Sequence, residues 1–258
     1  MKHQEKNSIP QYSPTGKDPV SGHAPRISRF LADCGVCSRR KCGELVKDGR
    51  VSVNNKAVKD LSYRVKGQDI VKLDGNEIKP DEKLVLALNK PAGFLSTAKD
   101  DFNRKTVIHL TENTGKRLYP AGRLDRDSRG LIILTNDGDL AYRIMHPRYN
   151  IPKTYEVWLD RPLSGKDYNI IKSGVLIDKK VFKPDKLELN KVSSSGFPII
   201  IKIHEGRKRI IRRAFKTIGY NVKDLKRIMI GGYRLKDIPE GNYTVLEEKE
   251  IKKLLALK

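Results

Sequence analysis

The chain has 258 residues, and its 53 lysines and arginines against 31 aspartates and glutamates give a formal net charge of +22. A charge of this size and sign attracts polyanions, so nucleic acid is the leading partner. The sequence has no apolar run of transmembrane length and no signal-peptide pattern. We therefore expect a soluble, cytoplasmic protein with no membrane partner, and the length favours two unequal domains.

Residues 1–24 differ in amino-acid composition from the rest of the chain. They contain prolines, glycines and many polar side chains, with almost nothing apolar to bury. Such a segment cannot offset the entropy lost on ordering, so we expect a disordered basic tail here.

The next segment predicts two short helices followed by a hairpin. Apolar residues recur at helical spacing over Ile27–Cys34, and Gly35 is placed to end that helix. Ser38 is placed to cap a second helix. The pair Asn54-Asn55 then separates two short strands, as in a hairpin turn. This unit is expected to occupy residues 25–78.

Cationic side chains cluster about the predicted helical corner. They are Arg26, Arg29, Arg39, Arg40, Lys41 and Arg50. Charge alone also fits a solvated helical face. The whole pattern, however, with its "SRR" and "DGRVSVN" segments, resembles the RNA-binding fold first known from a small-subunit ribosomal protein. That resemblance implies that the unit binds structured RNA through its phosphates.

All three cysteines, Cys34, Cys37 and Cys42, lie close together in this unit. A zinc site is the alternative to consider, but four ligands are needed and the nearest histidine, His23, lies in the tail. Cys34 and Cys42 fall at apolar helical positions, where a reduced cysteine behaves as a small hydrophobe. We therefore predict free thiols and no metal.

Residues 81–258 predict an α+β domain. The strand candidates, rich in β-branched and aromatic residues, are "LVLALNK" from Leu84, Leu131 to Thr135, Lys153 to Leu159 and Phe197 to Ile203. The helical candidates are Asp139 to Met145, Gly165 to Gly174 and Arg207 to Ile218. Strands and helices do not alternate regularly, which favours a mixed or antiparallel sheet.

One carboxylate stands out in the segment "GRLDRDSRGLIILTNDGDL". Asp125 precedes an apolar strand and is flanked by Arg123, Arg126 and Arg129. Nearby guanidinium groups favour the ionised form of a carboxylate. Two other interpretations stay open on these residues: a loop carboxylate neutralised by its neighbours, or a Mg²⁺ site built from two Asp-x-Asp pairs, of which the "TNDGD" pair is also ordinary turn chemistry.

Several motifs together make the family recognisable. "GRLDRDSRGLIILTNDGDL" resembles the active-site segment of the pseudouridine synthases, in the branch that contains RsuA, RluB, RluE and RluF. Its companions follow in the family's order: "LNKPAGFLST", "MHP" at Met145 to Pro147, "KTYEV" at Lys153 to Val157 and "EGRKRIIRRAF" at Glu205 to Phe215. The resemblance runs from about Arg26 to Glu247.

The resemblance implies a reaction and a set of site residues. Asp125 is the expected catalytic aspartate, Tyr155 is expected to stack on the target base, and Arg212 is expected to pair with Asp125. The isomerisation detaches, rotates and rejoins the uracil, which needs a positioned carboxylate in a closed pocket and no cofactor. The chain departs from the family at Ile210, where relatives commonly carry a polar residue.

The basic segment at Arg207–Ile218 predicts an amphipathic helix with one apolar and one cationic face. A solvated basic surface is the commoner fate of such a face. By the resemblance, the cations expected to contact RNA in this domain are Arg123, Arg209, Arg213 and Lys216.

The resemblance implies an isomerase that acts on ribosomal RNA, and we expect it to act as a monomer on RNA that is free or in an assembly intermediate. "MHP" and the setting of the basic helix most resemble the branch member that modifies the large-subunit RNA, and this resemblance implies 23S RNA as the target. The alternatives are a 16S RNA enzyme of the same branch and a non-catalytic ribosome-binding protein that keeps the fold.

Overall fold

The computed structural model describes residues 24–189 and 198–255. It consists of two compact units: the first takes residues up to 84 with 115–117 and 136–139, and the second takes 85–114, 118–135 and the rest of the chain from 140. The predicted tail, apart from residue 24, and Phe197 of a predicted strand lie outside the described residues. No helix in the described ranges is long and apolar enough to cross a membrane.

In the first unit, two helices precede a four-stranded antiparallel sheet with strand order β2-β1-β3-β4. The elements are α1 (Ile27–Asp33), α2 (Arg39–Lys47), β1 (Val51–Val53), β2 (Lys56–Ala57), β3 (Val71–Leu73) and β4 (Asn76–Glu77). The Ser38 side chain accepts a hydrogen bond from the backbone N–H of Lys41, which confirms the predicted cap. The hairpin is also confirmed, because both turn residues, Asn54 and Asn55, have φ near +60°, as a two-residue type I′ turn requires.

The apolar faces of these elements form one small core. Its fully buried members include Ile27 and Leu31 of α1, Cys42 and Val46 of α2, and Val51 of β1. Burying a side chain of this size stabilises the fold by about 1.5–3 kcal/mol. Burial also raises the pKa of the Cys42 thiol to about 12, so this cysteine is a packing residue, as predicted.

The second unit contains a nine-stranded sheet with helices packed on it, which confirms the α+β class. Its elements, in chain order, are β5 (Val85–Lys90), β6 (Tyr119–Pro120), β7 (Arg129–Thr135), α3 (Gly138–Met145), β8 (Lys153–Leu159), α4 (Gly165–Ser173), β9 (Val175–Ile177), β10 (Lys180–Phe182), β11 (Lys186–Leu189), β12 (Ile199–Ile203), α5 (Ile210–Thr217), β13 (Val222–Ile230), β14 (Tyr233–Arg234), β15 (Tyr243–Val245) and α6 (Glu248–Leu254). Strands β9 and β10 form a separate hairpin.

The main path of the sheet runs β11-β12-β8-β13-β7-β5-β15. Neighbouring strands are antiparallel except β13 and β7, which are parallel, so the sheet is mixed. At that parallel pair, Gly130 has φ +101°, and a Cβ atom there would meet the backbone oxygen of Arg227 at 2.3 Å. Only glycine permits this approach, which brings the segment before β7 against β13.

The basic helix is shorter than predicted. It begins at Ile210 rather than Arg207, because Arg209 has a left-handed φ of +52° and precedes the first helical turn. The apolar face is confirmed, since Ile210, Ile211, Ala214 and Phe215 are buried. Arg209 therefore lies in a turn ahead of the cationic face that the sequence suggested.

Candidate active site

Asp125 lies in the loop between β6 and β7. The backbone N–H of Ser128 donates to the Asp125 carbonyl at 3.1 Å, so the loop turns tightly just before β7 begins. The Asp125 side chain is about one third exposed. A carboxylate on such a turn reaches solvent while its backbone is fixed by the sheet behind it.

A second segment, the one that follows β5, fixes this loop from the side. The Ser96 hydroxyl donates to the carbonyl of Leu124 at 2.9 Å and accepts from its N–H at 3.1 Å. The N–H of Gly93 donates to the carbonyl of Arg126 at 2.7 Å. The residues on both sides of Asp125 thus have backbone partners, which limits the positions that its carboxylate can take.

Lys90, at the end of β5, lies beneath the same loop and is fully buried. Its ammonium group donates to the carbonyls of Pro91 at 2.9 Å and Ser128 at 2.6 Å. Burial lowers the pKa of Lys90 to about 8. This lysine acts on the Asp125 loop through backbone carbonyls rather than by reaching the surface.

A cavity of about 410 Å³ opens beside Asp125. Its walls include Tyr155 on β8, the apolar side chains of Ile203 and Leu225, and the exposed Arg123. The volume suits a small planar group, and the lining combines apolar faces with charged groups at the rim, which is typical of a ligand site.

Two arginines near the start of α5 share one carboxylate. Arg209 donates from two nitrogens to the Asp127 carboxylate at 2.7 and 2.9 Å. Arg212 has its Nε 3.4 Å from the same carboxylate and donates to the Asp127 carbonyl at 3.1 Å. The hydrogen bonds from Arg209, together with the nearby charge of Arg212, lower the pKa of Asp127. Asp127 is therefore a fixed anion that orients both guanidinium groups.

Among the described residues, the direct ion pair of Arg212 is with Asp127 and not with Asp125, the predicted partner. The ion pair of Asp125 is with Arg209, at 3.7 Å. Arg212 is directed instead to Asp127 and to the carbonyl of Val222, to which it donates at 2.7 Å. The turn at Arg209 places that side chain 3.7 Å from Asp125, although its shorter contacts, at 2.7 and 2.9 Å, are with Asp127, which Arg212 also contacts. Asp125 still acts on Arg212 electrostatically, at longer range.

Tyr155 is nine-tenths buried on β8 and faces the cavity. The guanidinium carbon of Arg227, on β13, lies 6.0 Å from its ring centre. Arg227 is itself buried and donates from Nε to the carbonyl of Leu131 at 2.7 Å. Tyr155 is thus a largely buried ring that lines the same cavity as Asp125.

The remaining predicted RNA contacts of this unit differ in their surroundings. Arg213 is ion-paired with Asp178, in the β9–β10 turn. Lys216 is exposed. Arg123 is exposed at the cavity rim. Arg213 must therefore leave a carboxylate before it can bind a phosphate, whereas Arg123 and Lys216 have no ion-pair partner within residues 24–189 and 198–255.

The predicted RNA-binding cations of the first unit also include both exposed residues and residues with a carboxylate partner. Arg39, Arg40 and Lys41, at the start of α2, are exposed, as is Arg26 just before α1. Arg50 is paired with Asp74, to which its Nε donates at 2.9 Å. Arg29 is partly buried and has Asp33 as one partner, at 3.6 Å.

The metal alternatives can be compared with the geometry. Within residues 24–189 and 198–255, no three His, Cys, Asp or Glu side chains are grouped so as to hold a metal ion. Asp127 is engaged by arginines, and Asp137 accepts from the N–H of Asp139 at 3.0 Å at the start of α3. The second acidic pair is therefore a helix cap. The Cys37 and Cys42 sulfurs lie 3.0 Å apart as free thiols.

Sequence reasoning missed three residues of this site: Asp127, Lys90 and Arg227. In the sequence, Asp127 was considered only as a member of an Asp-x-Asp pair that could bind Mg²⁺. Lys90 was considered only as part of the motif "LNKPAGFLST". Arg227 lies on β13, whose alternation of charged and apolar residues was not recognised as a strand. A lysine directly after a run of buried strand residues was the one signal that could have indicated a buried cation.

Two family matches cover most of the chain. Residues 84–217 match the family described as RNA pseudouridylate synthase, and residues 25–83 match the S4 domain. The chain is also similar to a solved structure of a pseudouridylate synthase, with a TM-score of 0.62 and 30% identity, over 90% of this chain and 100% of that one.

Curated relatives agree with these matches. An uncharacterized RNA pseudouridine synthase of Aquifex aeolicus is 38% identical, over 89% of this chain and 93% of its own length. The ribosomal large subunit pseudouridine synthase B of Bacillus subtilis is 38% identical, over 90% of this chain and 96% of its own length. The dual-specificity RNA pseudouridine synthase RluF of Escherichia coli is 35% identical, over 90% and 79%.

Proposed function

We propose, from the premise that this chain belongs to the RNA pseudouridylate synthase family, that it converts one or more uridines of large-subunit 23S ribosomal RNA to pseudouridine. The enzyme is an isomerase with an S4 RNA-binding domain. The observation that carries the proposal is Asp125, fixed on a turn at a cavity that Tyr155 lines. The ribosomal target rests on the similarity to the Bacillus subtilis large-subunit enzyme.

The reaction rearranges the substrate without adding or removing atoms. The bond from ribose C1′ to uracil N1 breaks, the ring rotates, a bond from C1′ to C5 forms, and the C5 proton is replaced by a proton on N1. Asp125 supplies the carboxylate, either by attack on C1′, by addition to the uracil ring, or by starting elimination from the ribose. Each route requires the uridine to be flipped into a closed pocket.

The other site residues have roles that follow from their contacts. Tyr155 stacks on the uracil, where its hydroxyl can take the C5 proton. Arg209 neutralises Asp125, and Asp127 fixes Arg209 and Arg212 so that their charges stay oriented while the substrate rearranges. Lys90 maintains the Asp125 loop through the carbonyls of Pro91 and Ser128.

Exposed cations at the pocket rim and elsewhere on the surface bind the RNA backbone. We assign Arg26, Arg39, Arg40 and Lys41 of the S4 domain, with Arg123 and Lys216 of the second unit, to phosphates, because all six are exposed. The protein acts as a cytoplasmic monomer on free ribosomal RNA or on an assembly intermediate, where such RNA is accessible. Contacts to both phosphates and bases offset the cost of unstacking the target.

Pseudouridine mapping of ribosomal RNA from cells that lack the gene tests the proposal. We expect at least one 23S position to lose pseudouridine, to regain it with the wild-type gene, and not to regain it with Asp125→Asn. A lost position in 16S RNA would show that the subunit assignment is wrong while the reaction stands. Unchanged maps of both RNAs would contradict the proposed target altogether.

A further inference from the structure

Phe102 lies in the loop between β5 and β6 and is 78% exposed, more than any other large hydrophobic side chain in the described ranges. A phenylalanine ring gains nothing from such exposure to water. A single exposed apolar residue is ordinary. What sets Phe102 apart is the set of contacts that fix the loop around it.

The loop is built on one carboxylate. Asp100 accepts from the backbone N–H of Phe102 at 3.1 Å and from that of Arg104 at 2.9 Å. It also binds the Arg104 guanidinium, whose Nε donates at 3.1 Å. The side chain of Asp100 is only 7% exposed as a result. The chain thus orders this turn through polar contacts, and the ring contributes nothing to them.

Arg104 covers one face of the ring. Its guanidinium carbon lies 4.9 Å from the ring centre of Phe102. Because the ring remains 78% exposed with that arginine in place, its other face is open to solvent. Arg104 is held by Asp100, so the arginine is fixed against one face of the ring and the other face is open to a flat partner.

The loop is tied directly to the catalytic segment. At one end, Ser96 makes both hydrogen bonds to Leu124, next to Asp125. At the other end, the carbonyl of Lys105 accepts from the N–H of Leu95 at 2.9 Å. Phe102 is three residues from Lys105, so the maximum span per residue puts it at most roughly 30 Å from Asp125. Folded RNA around a target nucleotide extends over such distances.

The chemistry of the Phe102 ring and of Arg104 indicates what kind of group can bind the open face of the ring. Every nucleobase has a flat face that stacks on an aromatic ring, and arginine planes add to such stacks. Lys99, Arg104 and Lys105 outnumber the two aspartates of the loop, and the whole chain carries a net charge of +22, so a polyanion is favoured. We propose that the open face of Phe102 stacks on an unpaired base of the ribosomal RNA that flanks the target uridine. This inference rests on the proposed function.

Binding is tested with the full-length chain carrying Asp125→Asn, so that the RNA is not converted, on a 23S rRNA transcript with tRNA as competitor. We expect Phe102→Ala to weaken binding roughly tenfold, at every salt concentration alike, because stacking releases no counterions. Phe102→Tyr should bind as the parent does. Phe102→Leu, which keeps an apolar side chain without a flat ring, should behave as Phe102→Ala. Leu176→Ala removes another exposed apolar side chain, 65% exposed, and should have no effect.

A fluorescence experiment reads the stack directly. The chain has a single tryptophan, Trp158, so Phe102→Trp combined with Trp158→Phe reports on position 102 alone. We expect the rRNA to quench this tryptophan strongly, and to quench Leu176→Trp in the same background much less.

Binding of Phe102→Ala or Phe102→Leu within twofold of the parent would overturn the inference, as would unquenched fluorescence of the Phe102→Trp chain on bound RNA. Neither result depends on pseudouridine formation. That reaction is measured separately, on the same transcript, with the wild-type chain that keeps Asp125. Weakened binding of Phe102→Ala to ribosomal particles only, with naked rRNA bound normally, would indicate a protein partner and would also overturn it.

Discussion

Arg39, Arg40 and Lys41 at the start of α2 are exposed, and none is in an ion pair in the part of the chain that the structure describes. Arg209 and Arg212 at the start of α5 share the Asp127 carboxylate. The residue types are alike, but the first set is free to bind a phosphate and the second is already oriented. The comparison suggests that free cations set the affinity for RNA and paired cations set the rate of the reaction.

Among the paired and free cations, we expect substitution of Arg212 to lower the reaction rate most. Arg212→Ala removes a partly buried guanidinium that contacts Asp127 and the Val222 carbonyl. We expect the single-turnover rate at saturating RNA to fall roughly 100- to 1,000-fold, because a charge oriented beside the reacting groups acts in the transition state. Quenched single-turnover time courses on an rRNA fragment measure this rate.

Arg213→Ala on the same helix is the matched control. Arg213 pairs with Asp178 rather than Asp127, so its removal should leave the rate within a few-fold of wild type. If Arg212→Ala changed affinity alone, Arg212 would belong with the phosphate-binding cations and the comparison would fail.

The free cations should show the opposite behaviour. Replacing Arg39, Arg40 and Lys41 by alanine should weaken rRNA binding tenfold or more at low salt. It should also flatten the salt dependence by about two to three units of slope, roughly one for each phosphate that the protein no longer neutralises. The rate at saturating RNA should not change. Filter binding at several salt concentrations gives both the affinity and the slope.

A second triple variant removes the same charge from other exposed lysines of the first unit, Lys56, Lys59 and Lys66. Its slope should change less than that of the α2 variant. Equal slopes for the two variants would mean that the net charge matters and the position on α2 does not.

How far the sequence predicts this arrangement depends on the range of the interactions. The Ser38 cap, the Asn54-Asn55 hairpin and β8 were predictable because a local pattern determines each. The partner of Arg212 was not, because it depends on where α5 begins. That start depends on the left-handed backbone of Arg209, which carries no local sequence signal of the kind that glycine gives. Strand β13 was missed because four charged residues interrupt its apolar positions.

Lys90 extends the comparison to a fully buried cation. Burial lowers its pKa from 10.5 to about 8, so the folded state loses the proton at a lower pH than the unfolded state. The unfolded chain then binds more protons between pH 8 and 10.5, and the free energy of unfolding rises with pH across that window. Relative to Lys90→Met, the wild-type chain should gain on the order of 2 kcal/mol there.

Urea unfolding of both chains at pH 7.5, 9 and 10 measures this gain. Lys153, whose pKa burial also lowers to about 8, is present in both chains and cancels in the difference. Parallel stability curves would show that Lys90 titrates normally, and its burial beneath the Asp125 loop would then need another explanation.

We propose that the Asp125 carboxylate performs the isomerisation inside the pocket that Tyr155 lines. The most direct test of this proposal is Asp125→Asn, which keeps the shape of the side chain and removes the anion. We predict that this variant unfolds at the wild-type temperature, binds the rRNA fragment with wild-type affinity and forms no detectable pseudouridine in a single-turnover assay. Appreciable activity in a normally folded Asp125→Asn chain would show that another group performs the isomerisation.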